Sequence, residues 1–316
     1  MLNVAVTGVG GGCGQAILSA LGMSKLNVRL FAVDITHVSA GHYFYGVEPV
    51  VLPKPEENIG AWIDFVRLNA IDAVIPGSDH DLLPLAQHQW DLNALVCSTE
   101  LVKIANDKGR TAMLGDRIRV PASIMGGMDD QTDFDALGGY PLVIKPRYGM
   151  TSRGVQVVHD HEELMFYLRR TERPIVQRYI GGDEYTCALF FDRLSHYCFG
   201  FQMKRWLYAG TTYRAEVTND PIVDEFMREV ANKLQNLGAY GAVNIQIKVE
   251  DGKAYLLEIN ARASGSTNIR AKFGYNEPEM MLRHFVLHED VTPPDIHFGV
   301  AYRHWASTVI IDGSFE

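Results

Sequence analysis

The feature that most constrains the fold is a repeated alternation of strand and helix signals over the first hundred residues. A β-branched run at 3–7 precedes a glycine-rich turn and a segment of helical spacing at 15–21, and a second strand follows at 28–33. A helical stretch at 59–68 then leads to a strand at 73–75. This alternation predicts an α/β domain with a parallel sheet whose ligands bind at the carboxyl ends of the strands.

The pattern changes near residue 106, after which short strands come in pairs. Strands are predicted at 142–145 and 154–158 around a second glycine-rich loop, and at 243–249 and 253–259 around a tight turn. Such hairpins predict an α+β fold with an antiparallel sheet. Since 316 residues exceed the usual size of one hydrophobic core, two or three domains are expected.

Composition excludes several classes of protein. A net charge of −9 argues against an extended nucleic-acid-binding surface. No apolar stretch approaches the roughly 20 residues that cross a bilayer, and the N-terminus lacks the pattern of a signal peptide. The four cysteines form no CxxC pair. We therefore expect a cytoplasmic protein with reduced cysteines that binds neither nucleic acid nor membranes.

The first glycine-rich loop, Gly8–Gly14, has more than one interpretation. It follows a strand and opens a helix, so its backbone N–H groups can face an anion. Asp34 lies where dinucleotide-binding folds hold a ribose. The G-x-G-x-x-G spacing fails, however, because Cys13 occupies the last glycine position. An NAD(P)-binding oxidoreductase is the alternative prediction, beside a tight βα turn or a site for an acceptor substrate.

The second glycine-rich loop follows Lys145-Pro146 and includes Gly149, Ser152 and Gly154. A loop of small and hydroxyl residues between two strands can fold over phosphates, and Lys145 at its base would place a point charge against them. Lys108 is a second candidate cation. For each lysine the alternative is a solvated surface charge.

The hairpin at 243–260 carries the most informative side chains. Glu258 and Asn260 are two residues apart and share a face of their strand. Gln246 faces the same side only if the connection is the three-residue loop Glu250-Asp251-Gly252, because a two-residue turn would point it away. The functional interpretation therefore predicts the three-residue loop.

On that face one carboxylate and two amide oxygens would gather, which is a ligand set suited to Mg²⁺ that also holds phosphates. Arg262, two residues beyond Asn260, would continue the line and neutralise a transferring phosphoryl group. The alternative is the polar outer face of an edge hairpin.

Taken in order, these motifs resemble those of ATP-grasp enzymes related to carbamoyl-phosphate synthetase large chains and carboxylate–amine ligases. The matching segments are Lys108, Lys145-Pro146 with its glycine loop, 177–184, Asn244-Ile245-Gln246 and 258–262. The resemblance implies an α/β pre-ATP-grasp domain at 1–105 followed by an α+β ATP-grasp domain. That domain would consist of a small subdomain at 106–174 and a large subdomain at 175–316.

The resemblance also implies the ligands of each group. Lys108 and Lys145 would contact the phosphates of ATP. Gln177 and the backbone of Arg178 and Ile180 would lie at the adenine, and Glu184 would hold the ribose. Gln246, Glu258 and Asn260 would bind one or two Mg²⁺ ions, or Mn²⁺ in their place, and Arg262 would stabilise the transferred phosphate. The family commonly has Glu at the position of Gln177 or Arg178, and neither residue is acidic here.

The implied activity is a two-step ligation. A carboxylate attacks the γ-phosphate to give an acylphosphate and ADP, and an amine then displaces phosphate; this requires mainly positioning and charge neutralisation. Arg205 and Arg214 would clamp a substrate carboxylate, and Ser264 would contact the acylphosphate. A degenerate ATP-binding sensor or partner protein is a further alternative. The expected partners are small carboxylates and amines, with a homodimer as one expected assembly.

Overall fold

The fold is given by a computed structural model that describes residues 1–115, 118–149 and 153–304. The chain forms two compact units. The first contains residues 1–97, 240–242 and 262–304, and the second contains the described residues of 98–239 and 243–261. In the described part of the chain, no helix has the length and apolar character needed to cross a membrane.

The first unit begins with a parallel sheet. Its elements are β1 (Leu2–Thr7), α1 (Gly12–Gly22), β2 (Val28–Asp34), a 3-10 helix (Ala40–Tyr43), β3 (Val47–Val51), α2 (Ile59–Leu68), β4 (Ala73–Ile75) and α3 (Asp79–Gln87). The strands pair in parallel in the order β3-β2-β1-β4. Val4, Ala5 and Val6 on β1 are fully buried, as expected of a central parallel strand. The predicted parallel sheet is confirmed.

Asp81 on α3 is a buried carboxyl group whose ionisation opposes folding. It is 9% exposed and accepts a hydrogen bond from the Thr7 hydroxyl at 2.6 Å. Burial raises the pKa of Asp81 to about 6, although the bond from Thr7 opposes this. Because the pKa in the folded state lies above the unfolded value, this group favours folding below about pH 4, and the contribution is lost as the pH rises to about 6.

We therefore expect Asp81→Asn to gain stability relative to the wild type as the pH rises. Between about pH 4 and pH 7 the difference in unfolding free energy should grow by up to about 3 kcal/mol, which corresponds to a pKa shift of about two units. Denaturant unfolding of both proteins at the two pH values measures this. Asp91→Asn, at an exposed carboxylate, is the control. A difference that does not change with pH would contradict the assignment.

The second unit begins with α4 (Thr99–Ala105) and α5 (Lys108–Ala112), followed by a small antiparallel sheet. Its elements are β5 (Ser123–Met125), a 3-10 helix (Asp135–Leu137), β6 (Leu142–Pro146), β7 (Gln156–Val158), α6 (His161–Leu168) and β8 (Pro174–Arg178). The strand order is β5-β8-β6-β7. Leu142 and Ile144 on β6 share a core with Leu164 of α6. Since neighbouring side chains alternate between faces, Lys145 projects from the other face of this sheet.

One face of the larger sheet of the second unit is covered by a helix, and the opposite face, called the polar face below, carries the side chains of the candidate site. Its strands are β9 (Asp183–Phe191), β10 (Tyr197–Tyr208), β11 (Thr211–Val217), β12 (Gly241–Glu250) and β13 (Lys253–Asn260), in the order β13-β12-β9-β10-β11, with α7 at Pro221–Gln235. The α7 helix begins after Asp220, whose carboxylate caps it, and it packs against β9 and β10. The residues of α7 that are buried recur at three- and four-residue spacing.

The remaining residues return to the first unit as α8 (Thr267–Lys272), α9 (Glu277–Met281), a π-helical turn (Leu282–Val286) and β14 (Val300–Tyr302). Helices α8 and α9 pack against α1, and the Asn276 side chain donates a hydrogen bond to the Ala20 carbonyl at 2.9 Å. The large subdomain predicted from the sequence, at 175–316, includes this segment, whereas its packing groups it with the N-terminal residues.

Candidate active site

The β12–β13 hairpin turns differently from the expectation. Glu250 pairs with Lys253, so the loop consists of Asp251 and Gly252 alone. Both residues have positive φ, 49° and 71°, as two-residue type I′ turns require. The predicted three-residue loop is therefore wrong.

A β-bulge nevertheless brings Gln246 to the predicted face. The register shifts by one residue at Leu257, so Gln246 lies directly opposite Glu258, and Asn244 lies opposite Asn260. One extra residue in one strand changes the face of the sheet to which the following side chains of that strand point. This change compensates for the shorter turn. The three predicted metal ligands thus share one face of the sheet.

This polar row continues across the neighbouring strands β9 and β10. The Thr186 hydroxyl donates to the Oδ1 of Asn244 at 2.9 Å. The Arg205 guanidinium donates two bonds to Glu184 Oε1, at 2.6 and 2.9 Å, and one to Gln246 Oε1 at 2.8 Å. Thr186 and Asn244 were not predicted as members of the row, although Asn244 belongs to a quoted motif.

The donor set on β12 and β13 fits a divalent cation that is shared with phosphates. It offers one carboxylate, from Glu258, and the amide oxygens of Gln246 and Asn260. Among the described residues, no group of three or more His, Cys, Asp or Glu side chains could hold a metal ion. A set with a single carboxylate suits Mg²⁺, which keeps several waters and takes the rest of its oxygen ligands from substrate phosphates.

Lys145 lies at the base of the second glycine loop, as predicted, and it is 8% exposed. Burial lowers the pKa of Lys145 to about 8; the charge of Glu258 opposes this shift, and that of Lys108 adds to it. The ammonium group of Lys145 is therefore buried near the charges of both Glu258 and Lys108, where it can attract an anion. The solvated-surface alternative does not hold for Lys145.

Lys108 is tied to the same loop. It is the first residue of α5; its ammonium donates to the Gly149 carbonyl, and its backbone N–H donates to the Arg147 carbonyl at 3.1 Å. Gly154 has a φ of +73°. Ser152 lies outside the described residues. The predicted phosphate-binding segments therefore meet at α5 and the end of β6.

The predicted adenine segment uses some of its hydrogen-bonding groups within the protein. Gln177 is 5% exposed, and its amide donates to the Ser123 hydroxyl at 2.8 Å. The backbone N–H of Arg178 donates to the Ala122 carbonyl at 2.9 Å. That N–H is therefore committed within the protein, and the expected contact of the Arg178 and Ile180 backbone with the adenine stays a prediction. The Ile180 carbonyl accepts a bond from the Lys248 ammonium group on β12 at 2.9 Å.

Arg205 and Arg214 project from opposite faces of the large sheet. Arg205 pairs with Ala215, and Arg214 pairs with Trp206, one register position away. The Arg214 guanidinium stacks on the Trp206 ring at 4.0 Å, whereas Arg205 reaches the row of Glu184. Because neighbouring positions alternate between faces, the two guanidinium groups do not form the expected joint clamp.

Arg262 is anchored within the first unit. Strand β13 ends at Asn260, so Arg262 does not continue its face. Its guanidinium forms a bidentate pair with Asp79, at 2.6 and 2.7 Å, and contacts the Cys13 sulfur at 3.2 Å. Arg262 thus lies beyond the strand that carries the metal ligands, held by the Asp79 carboxylate, and its expected contact with a transferred phosphate stays a prediction.

Ser264 and Ser78 have local roles in the same unit. The Ser264 hydroxyl accepts a bond from the Ser266 N–H at 3.1 Å, in the turn that precedes α8. Ser78 caps α3 by accepting a bond from the His80 N–H. The acylphosphate contact of Ser264 remains a prediction.

The first glycine loop is a tight turn. A Cβ on Gly14 would lie 2.5 Å from the carbonyl oxygen of Gly8, which itself has a φ of +61°. The Asp34 carboxylate accepts bonds from the N–H groups of Gly10 and Ile35, at 2.7 and 2.8 Å. Asp34 thus stabilises the loop, and this favours the structural interpretation over the nicotinamide one.

Comparison with known proteins decides the family. The model of the ATP-grasp domain matches residues 105–266, just over half of the chain. The chain belongs to the ATP-grasp family. The matched residues include Lys108, Lys145, the β12–β13 hairpin and Arg262.

Individual relatives agree with this membership. The chain is 25% identical over 227 residues to the carbamoyl phosphate synthase large chain of Methanocorpusculum labreanum, covering 65% of this chain and 21% of that protein. It is 30% identical over 182 residues to D-alanine–D-alanine ligase B of Chromobacterium violaceum, covering 52% and 59%. It shares its fold with N5-carboxyaminoimidazole ribonucleotide synthetase of Thermus thermophilus, with a TM-score of 0.75, 16% identity, and coverage of 92% and 81%.

Sequence reasoning missed two acidic residues that hold segments of the candidate site in place. Asp107 caps α5 and accepts a bidentate bond from Arg147, at 2.7 and 2.8 Å. Burial raises the pKa of Asp107, but the bonds from Arg147 and the backbone outweigh it and leave the pKa lowered. Glu250 accepts bonds from the Arg178 guanidinium and the Gly181 N–H, both at 2.6 Å. An Asp directly before a helix signals the first support, whereas the second joins residues about 70 positions apart.

Proposed function

We propose that this chain is an ATP- and Mg²⁺-dependent ligase that activates a carboxylate as an acylphosphate and joins it to an amine, releasing ADP and phosphate. The observation that carries the proposal is the pairing of Gln246 with Glu258 and of Asn244 with Asn260 on one face, with the buried Lys145 near Glu258. Family membership supports the nucleotide chemistry. The chain spans 21% of the carbamoyl phosphate synthase large chain and 59% of the D-alanine ligase named above, so their activities are not transferred whole.

In this proposal the two sheets of the second unit are the two ATP-grasp subdomains. Lys108 and Lys145 hold the phosphates under the glycine loop, and Glu184 holds the ribose. Gln246, Glu258 and Asn260 would hold the cation, which when bound would neutralise charge on the phosphates. The substrate-facing roles of Arg262 and Ser264 follow from the family resemblance alone.

ADP formation tests the proposal. The protein is incubated with ATP, Mg²⁺ and a panel of amino acids and sugar acids as carboxylates, each with and without an amine. We expect ADP release that requires both substrates. Thermal stabilisation by ATP with Mg²⁺ but not by NAD(H) is expected as well. Nucleotide stabilisation without ADP release across the panel would favour the sensor alternative, and stabilisation by NAD(H) alone would refute the proposal.

The pKa of Lys145 gives the proposal a pH signature. ATP is fully ionised above about pH 8, so further weakening of its binding there reports loss of the lysine proton. We expect the Kd for ATP without metal to rise by up to about tenfold per pH unit above about pH 8, where the wild type must take up a proton to bind. Titration of Lys145→Gln should give weaker binding with no such slope. An equal slope in both proteins would assign the pH dependence elsewhere.

A further inference from the structure

Arg205 is the most strongly engaged cation on the polar face of the large sheet. Its side chain is 11% exposed, and that of Glu184 is 19% exposed. Three hydrogen bonds join it to Glu184 and Gln246. For comparison, the bidentate pair Arg29–Glu48 is more than 40% exposed on both sides. The Arg205 side chain is therefore held in a fixed position on this face by hydrogen bonds and burial.

The contact with Gln246 conflicts with metal binding. A neutral amide can ligate a cation only through its carbonyl oxygen, and the Oε1 of Gln246 already accepts a bond from the Arg205 guanidinium. A divalent cation on the same oxygen would lie next to this positive group and be repelled by it. Because this oxygen has two lone pairs, the conflict is electrostatic, and withdrawal of the guanidinium from Gln246 would relieve it.

The charges nearby favour withdrawal only when a nucleotide is present. Arg205 lies on this face with Glu184, and Lys145 and Lys108 of the neighbouring segments add positive charge near Glu258, so a divalent cation alone would add to the positive charge already present. A triphosphate reverses that balance. If it also contacts Glu184, as proposed for the ribose, it competes for the carboxylate that holds Arg205 in place.

We propose that Arg205 is an internal counter-ion that occupies the metal site of the nucleotide-free protein and releases Gln246 when nucleotide arrives. The divalent cation is then bound together with the nucleotide, not before it. This inference rests on the proposed nucleotide-binding function. It gives Arg205 a positioning role in place of the substrate clamp expected from the sequence.

The test measures Mn²⁺ binding by electron paramagnetic resonance, without nucleotide, on the full chain. In the double variant Glu184→Gln with Arg205→Met, both charges are removed together, so the net charge is unchanged and no buried charge is left unpaired. We expect it to bind Mn²⁺ at least about fivefold more tightly than the wild type, because Gln246 is released. Equal or weaker binding would overturn the proposal.

Two further variants separate the proposal from general electrostatics. Adding Gln246→Met to the double variant should abolish the gain, and a gain that persists would also overturn the proposal. Arg214→Met removes the same charge from the opposite face of the sheet and should leave Mn²⁺ affinity at the wild-type value. If it tightens Mn²⁺ binding as much as the double variant does, the effect is not specific to Arg205.

A separate measurement addresses the proposed function. Addition of ADP to the wild type should raise Mn²⁺ affinity to at least that of the double variant. Failure of ADP to bind the wild type would refute nucleotide binding. The comparison of Mn²⁺ affinities without nucleotide would still decide whether Arg205 occludes Gln246.

Discussion

Replacing Glu258 with Gln is expected to lower ATP turnover at least about a hundredfold, a loss of roughly 3 kcal/mol of transition-state stabilisation. Glu258 supplies the only carboxylate of the proposed metal set and lies opposite Gln246. The variant keeps the shape of the side chain and removes the charge that attracts the cation. ADP formation over a range of Mg²⁺ concentrations measures the effect, which should be partly offset at high Mg²⁺.

The fold should survive this change, because Glu258 lies on the polar face of the sheet, away from the helix that covers the other face. Circular dichroism and thermal unfolding check this point. Glu229→Gln, at an exposed position on α7, removes the same charge away from the site and should retain full activity. Wild-type turnover in the Glu258→Gln variant would contradict the proposed metal site.

Replacing Glu277 with Ala is expected to destabilise the first unit by about 3–5 kcal/mol. Glu277 and Arg270 are both fully buried, 2.8 Å apart, and the Thr267 hydroxyl donates to the same carboxylate at 2.7 Å. Removing the carboxylate leaves a guanidinium group in the interior without its opposite charge. Denaturant unfolding, followed by probes of both units, measures the change.

The double variant Arg270→Met with Glu277→Leu separates the cost of an unpaired charge from the value of the pair itself. It replaces both ions with apolar side chains of similar volume, so it should lose less than half of what Glu277→Ala loses. Equal losses would show that shape, not charge, dominates at this position. The comparison requires no assumption about activity, because it concerns only α8 and α9.

Local patterns predicted much of the fold. The helix expected at 59–68 and the strand at 73–75 match α2 and β4 residue for residue. The motifs of the second unit were also readable, because a Lys-Pro pair after a strand or polar residues two apart on a strand are local signals. Such patterns depend on the periodicity of one element and need no knowledge of its neighbours.

The register of the site was harder to predict, although the facing of Gln246 was correct. The sequence offered two turn lengths, and the one that favoured the functional face was wrong. The bulge at Leu257 left no signal, because an extra residue in one strand is defined only against the hydrogen bonds of its partner. The pairing of the two strands decided where Gln246 points.

What the sequence by itself determined is the order of the elements, the family and the types of side chain available for the chemistry. Only the tertiary structure decided the partners of the long cationic side chains. Arg262 pairs with Asp79, 183 positions away, and Arg205 joins Glu184 and Gln246, whereas Arg214 lies on the other face. The physical reason is that a guanidinium group binds whichever carboxylate the folded backbone brings within reach, and sequence spacing says little about a contact between distant segments.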